Sequence, residues 1–201
     1  MKPFLIGVAG PSCSGKSVLI KEVWEKGGGI SRIKVDNYWK NKNTFPRKLG
    51  YRNWDLPESR KFNLLYKNLL ELKVGKKTKI PICKKGQFDH FELFEPTPII
   101  IVEGLFLFAD KKISDLFDLK IYVHVPKKVS IDRKIERTRQ NWVGEKYVKI
   151  ATEYSNKVYW PQYKQYIKPF KAQSDLILNG TMDIKTNAKK ILEVIKNETV
   201  N

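Results

Sequence analysis

The stretch that most constrains this chain is Gly10-Pro-Ser-Cys-Ser-Gly15-Lys16-Ser17, a G-x4-G-K-S pattern. An apolar run, Phe4 to Ala9, precedes it, and Val18-Leu19-Ile20-Lys21-Glu22-Val23-Trp24 follows. That is the strand, loop and helix order in which such a loop wraps phosphates. Gly10 and Gly15 let the backbone turn until successive N–H groups face inward. The start of the next helix adds its partial positive charge. In this reading Ser12, Cys13, Ser14 and Val18 supply loop backbone and Lys16 reaches the outer phosphates of a nucleoside triphosphate. Ser17 then offers a hydroxyl to Mg²⁺. A Gly/Ser-rich turn with no ligand is the alternative, and the complete pattern in its full context speaks against it.

With 201 residues the chain suits one domain with a sizeable core. Its 39 basic and 21 acidic residues leave a net charge of +18, which favours anionic partners. The lysines are scattered rather than blocked, so a solvated basic surface explains the charge as well as any polyanion does. No RNA-binding motif accompanies it, and nucleic acid is not the expected partner. Cys13 and Cys83 have neither metal-ligand spacing nor a disulfide framework, which suggests a reducing, cytoplasmic setting. The apolar run after Met1-Lys2 flows directly into the phosphate loop, so cleavage of a leader there would destroy the site. The longest apolar run, Pro98 to Ala109, is interrupted by Glu103 and too short to span a bilayer.

The periodicity predicts a strand over Phe4–Ala9, a helix over Lys16–Lys26 ended by Gly27-Gly28-Gly29, and a strand over Ile30–Val35. That second strand delivers Asp36-Asn37-Tyr38-Trp39 at its C-terminal end, the edge where open α/β sheets hold ligands. Residues 41–57 are basic, aromatic and irregular. A helix is expected over 58–73, with Phe62, Leu65, Leu69 and Leu72 at core spacing. Lys79–Ile82 and Phe88–Phe94 read as a β-hairpin. Pro98–Glu103 has the unbroken apolar character of a parallel strand buried on both faces, and Leu119–Val125 is another strand. Helices over 126–140 and 145–167, a strand over 175–178 and an amphipathic helix over 183–196 complete the chain. The expected architecture is a single α/β domain over 1–201, a five-stranded parallel sheet flanked by helices. It carries a hairpin insertion near 78–95 at the acceptor site and an arginine-bearing helical lid near 133–146.

Phosphoryl transfer asks for positioning, charge neutralisation and a carboxylate to take the acceptor's proton. Asp36, just past a strand end, is the candidate base; an Asx turn or helix cap is its ordinary alternative. Glu103, at the tip of a hydrophobic strand, is the candidate partner of Mg²⁺. Arg133 and Arg137 lie four apart, so on a helix they share one face and could clamp phosphates. A solvated basic face fits the same spacing. Trp39, Trp54, Phe88 and His90 flank the segments that would cover an acceptor.

Taken in order, these residues resemble the uridine kinase branch of the P-loop nucleoside kinases, a group that includes nicotinamide riboside kinases and phosphoribulokinase. Asp36-Asn37-Tyr38-Trp39 is similar to the family's D-S-F-Y, whose Asp is the base for the 5′-hydroxyl. Asn53-Trp54-Asp55-Leu56-Pro57-Glu58 resembles N-[FW]-D-x-P-[DE], whose Asp holds the ribose hydroxyls. Val102-Glu103-Gly104 resembles the strand end whose Glu serves Mg²⁺, and Arg133 and Arg137 fall where the family has lid arginines. The likeness implies a kinase that moves the γ-phosphate of ATP (or GTP), with Mg²⁺, to the 5′-hydroxyl of a small ribonucleoside, uridine or cytidine first. It leaves homo-oligomer formation open.

The hairpin departs from that family. Uridine kinases carry P-x-Y-D-F-x-x-H, with Tyr, Phe and His around the pyrimidine. Here the stretch reads Pro81-Ile82-Cys83-Lys84-Lys85-Gly86-Gln87-Phe88, with His90 displaced in register. Nicotinamide riboside is the next acceptor implied. A basic RNA-binding P-loop NTPase, or a nucleotide switch without acceptor chemistry, are the readings from other classes.

Overall fold

The computed structural model describes residues 2–84 and 86–200. Lys85, one of the altered hairpin residues, lies outside the described residues. Strand β1 (Phe4–Ala9) runs through the loop into helix α1 (Lys16–Lys26) and on to β2 (Ile30–Lys34). A two-residue ladder, β3 (Arg47–Lys48) with β4 (Tyr51–Arg52), lies in the aromatic segment, followed by α2 (Phe62–Lys73). Next come the antiparallel hairpin strands β5 (Thr78–Lys84) and β6 (Gln87–Phe94), then β7 (Ile99–Glu103), a short α3 (Lys111–Ser114) and β8 (Leu119–His124). Helices α4 (Lys127–Asn141), α5 (Glu145–Tyr154) and α6 (Trp160–Tyr166), strand β9 (Leu176–Asn179) and α7 (Ile184–Val200) finish the chain.

The main sheet has five strands in the order β2-β7-β1-β8-β9, every adjacent pair parallel. Side-chain alternation divides its core into two layers. Ile6, Val8, Ile101, Ile121 and Val123 face one layer with Leu19, Ile20 and Val23 of α1 and Ala188 and Ile191 of α7. Leu5, Ala9, Ile100, Val102 and Tyr122 face the other, with Leu65 and Leu69 of α2 and the aromatics Phe106, Tyr159 and Tyr163. Gly7 falls on that second face with Leu5 and Ala9, and it is glycine because a Cβ there would come within 2.5 Å of Phe108 and 2.9 Å of Phe117.

Register brings the functional strand ends level. Val8 and Lys34 both pair with Glu103, so the ends of β1, β2 and β7 meet at one edge. Asp36 lies one step beyond, in a 3-10 turn over Val35–Asn37.

The structure differs from the sequence expectation in three places. The helix expected over 58–73 begins only at Phe62, because Pro57–Ser59 closes a 3-10 turn in which the Ser59 hydroxyl donates to Leu56 O at 2.5 Å. The helix expected over 145–167 is interrupted by a π-turn, Ser155–Tyr159. The short α3 and the β3–β4 ladder carry too few periodic residues to be read in advance.

Candidate active site

Backbone geometry makes the donor loop concave. Cys13 (φ 58) and Gly15 (φ 93) are left-handed, and Gly10 takes φ 148 where a Cβ would sit 2.3 Å from Val123 O. Such alternation turns amides inward into an anion-binding concavity. Lys16 is buried at the start of α1, where its Nζ donates to Gly10 O at 3.0 Å, Pro11 O at 2.8 Å and Ser14 Oγ at 3.3 Å. Burial lowers its pKa, while Glu103 and Asp36 oppose that shift. Val18 follows on the exposed side of the same turn. Two other elements brace the loop: Ser12 N donates to the Tyr159 hydroxyl at 2.7 Å, and Ser130 Oγ donates to Ser12 O at 2.8 Å.

Beside the loop, Ser17 Oγ donates to Glu103 Oε2 at 2.8 Å. The other carboxylate oxygen accepts from Arg32 Nε at 3.1 Å and from Arg32 Nη2, which accounts for a carboxylate only 4% exposed. Gly104 follows because a Cβ would lie 2.4 Å from Val35. No cluster of three or more His, Cys, Asp or Glu forms a metal cage among the described residues. A hydroxyl and a carboxylate side by side suit a hard cation whose other ligands are phosphate oxygens and water.

A cavity of about 390 Å³ opens from this point, lined by Ser12, Cys13, Lys16, Ser17 and Glu103 on the loop side and by Asp36, Trp39, Trp54 and Asp55 opposite. Arg137 and Lys134 of α4 roof it, with Tyr154 of α5. Asp36 Oδ1 accepts from Arg60 Nη2 at 3.0 Å. Arg60 is 3% exposed, and its guanidinium carbon lies 3.0 Å from the Trp39 ring centroid. Burial drives the Arg60 pKa down to about 10 despite the opposing pull of Asp36. Asp55 Oδ2 accepts from the Tyr154 hydroxyl at 2.7 Å and lies 4.0 Å from Lys134 Nζ. Burial, then the neighbouring Asp55, pushes the Tyr154 hydroxyl above its ordinary pKa. Trp39, Phe45 and Trp54 pack on one another, with centroids 5.0 to 5.6 Å apart.

Of the residues singled out in the sequence for catalysis or for the acceptor, three sit outside this cavity. Arg133 Nη1 donates to Gly180 O at 3.0 Å and Cys13 O at 3.3 Å, on the loop's own backbone. Phe88 is 48% exposed against Phe91 and lines a neighbouring recess that it shares with Trp39. His90 is exposed beside Asp89, its Nδ1 2.8 Å from the carboxylate. The sequence does not single out Arg32, which pairs with Glu103, nor Arg60, Lys134 and Tyr154, which line the cavity. Lys134 was legible in principle, since it lies between two arginines already placed on one helix. Tyr154 and Arg60 reach the site only through tertiary packing.

An open parallel sheet with a G-x4-G-K-S loop between its central strand and the next helix defines a P-loop nucleotide-binding fold. Residues 5–187 match the model of the Phosphoribulokinase / Uridine kinase family. Over 183 residues the chain is 34% identical to a uridine kinase of Clostridium tetani, covering 88% of this chain and 87% of that one. A uridine kinase of Borreliella burgdorferi is 31% identical over 178 residues, 87% and 85% of the two chains. A solved structure from Bacillus stearothermophilus, described as a possible uridine kinase, superposes with a TM-score of 0.65 at 16% identity, covering 89% and 90%. The chain therefore belongs to the phosphoribulokinase/uridine kinase family, and it is a kinase, a phosphotransferase. Among its described residues no helix is long and apolar enough to cross a membrane.

Proposed function

We propose that this protein transfers the γ-phosphate of ATP to the 5′-hydroxyl of a ribonucleoside, with uridine and cytidine as first acceptors. One observation carries the reading: Asp36 and Asp55 line the same cavity as Lys16, Ser17 and Glu103. Donor and acceptor groups thus face each other across one space, in a chain related to uridine kinases.

In this reading the loop amides and Lys16 hold the outer phosphates. Ser17 and Glu103 hold Mg²⁺, which when bound neutralises phosphate charge. Asp36, oriented by Arg60, accepts the proton of the attacking hydroxyl. Asp55, oriented by Tyr154, accepts hydrogen bonds from the ribose hydroxyls, and Trp39 and Trp54 offer ring surface to the base. Arg137 neutralises charge on the transferring group. Arg133 braces the loop from behind through the carbonyls of Cys13 and Gly180.

Phe88 and His90 are exposed and do not line the cavity, so the base contacts fall to Trp39 and Trp54. Nicotinamide riboside stands as the second acceptor on the resemblance of Trp160-Pro161-x-Tyr163-x-x-Tyr166 and Glu103–Phe108 to its kinases. A coupled assay of ADP release over a panel of ribonucleosides tests the assignment. Turnover with uridine or cytidine supports it, turnover confined to nicotinamide riboside moves it to the second acceptor, and the absence of any ribonucleoside-dependent turnover ends it.

A further inference from the structure

A π-turn, Ser155–Tyr159, joins α5 to α6. In an α-helix residues five apart lie roughly 140° from one another, on different faces. A π-turn closes i→i+5 hydrogen bonds, as from Trp160 N to Ser155 O here, and so brings residues five apart towards one face. The pair here is Tyr154 and Tyr159, and each touches a different half of the site. The Tyr154 hydroxyl donates to Asp55 Oδ2 at 2.7 Å and accepts from Trp54 N at 3.1 Å. The Tyr159 hydroxyl accepts from Ser12 N, in the phosphate loop, at 2.7 Å.

Lys134 of α4 lies between them. Its Nζ is 5.0 Å from the Tyr154 ring centroid, 4.4 Å from that of Tyr159 and 4.0 Å from Asp55 Oδ2. Both ring distances fall within cation–π range, and the side chain is only 16% exposed, so solvent screens these contacts weakly. A continuous chain of contacts therefore runs from a donor-loop amide through two rings and one ammonium to the acceptor-side carboxylate.

We propose that Tyr154, Lys134 and Tyr159 are positioning residues that fix Asp55 relative to the phosphate loop, so that filling the loop orders the acceptor side. Ser12 N is the contact through which loop occupancy reaches Tyr159, and Lys134 passes the constraint to Asp55 through its charge. The part given to Asp55 rests on the reading of it as the ribose holder; the coupling itself does not.

Hydrogen exchange separates the two. On adding Mg²⁺ and a non-hydrolysable ATP analogue to the full chain, exchange of the amides over 53–55 is expected to slow at least fivefold. That is the lower end of ordinary site-to-site coupling. Tyr159→Phe, which keeps the ring and loses the hydroxyl, and Lys134→Met, which keeps the stem and loses the charge, should abolish the slowing. Lys134→Arg should retain it. Analogue affinity and melting temperature of each variant serve as fold controls, and Lys134→Met should raise acceptor KM at least tenfold with ATP KM within twofold. Slowing that persists in Tyr159→Phe and Lys134→Met, or that never occurs in the parent chain, overturns the coupling. Slowing in the parent that is lost in both variants supports it even if no ribonucleoside is turned over, a result that would count only against the acceptor assignment.

Discussion

Replacing Arg60 by Met separates the stability of the site from its chemistry. The guanidinium is 3% exposed, and burial drives its pKa well below the ordinary arginine value, to about 10, with the attraction of Asp36 already included. Holding it charged inside the fold therefore costs on the order of 3 kcal/mol. The Trp39 face returns about 2 kcal/mol of that, because the stacked pair is desolvated. Arg60→Met removes both terms together with the hydrogen bond that Nη1 donates to Ser59 Oγ at 2.6 Å, and the Ser59 hydroxyl keeps a carbonyl acceptor in Leu56 O or Trp54 O. The net change is about 1 kcal/mol or less, so the melting temperature should move by no more than roughly 4 °C. Activity should behave differently. The Asp36 side chain is 69% exposed and Arg60 is its ion-pair partner, so the variant frees the proposed base to swing. A misplacement of about 1 Å can cost on the order of a hundredfold, and kcat should fall tenfold to a hundredfold with ATP KM unchanged. Calorimetry and steady-state kinetics on the same preparation measure both. Parental kcat in Arg60→Met, or a melting temperature more than about 10 °C lower, would refute the reasoning.

Other outcomes follow from the same geometry. Asp36→Asn should lower kcat by a factor of about 10² to 10⁴ while leaving nucleotide affinity intact, checked by titration with an ATP analogue. Glu103→Gln should destabilise the fold by about 3 kcal/mol, because it leaves Arg32 without its carboxylate. Ser17→Ala should cost less, about 1 to 2 kcal/mol for the lost hydrogen bond to Glu103 Oε2, and raise the Mg²⁺ concentration needed for half-maximal rate. Gly180→Ala, remote in sequence, should weaken ATP binding, since its Cβ would come within 2.3 Å of Ser14 O in the phosphate loop; melting with and without nucleotide reads this.

The Gly10–Ser17 loop, the proposed donor half, was legible because it is local: one loop, one strand and one helix contiguous in the chain. The strand ends Asp36 and Glu103 were legible because parallel strands deliver their C-terminal residues to one edge. Arg32 was not, since its pairing with Glu103 depends on β2 lying beside β7, which the sequence order alone does not specify. Arg60 escaped for a similar reason. A lysine- and arginine-rich surface makes any one cation look solvated, and only packing against Trp39 and Asp36 distinguishes this one. The π-turn has no residue signature in 155–159, and an α-helical reading of that stretch sends Tyr154 and Tyr159 to different faces. Arg133 and Arg137 show the limit of spacing arguments. They share a helix face as expected, yet one reaches the cavity while the other is bound to loop carbonyls.

The central claim is that Asp36 and Asp55 receive a ribonucleoside opposite the phosphate loop. Its most direct test is to incubate the protein with Mg²⁺, ATP and each ribonucleoside in turn and identify the product by phosphorus NMR. A 5′-monophosphate formed in step with ADP, and lost in Asp36→Asn, is the expected product. ADP release that no ribonucleoside accelerates, or a product phosphorylated at another hydroxyl, would contradict it.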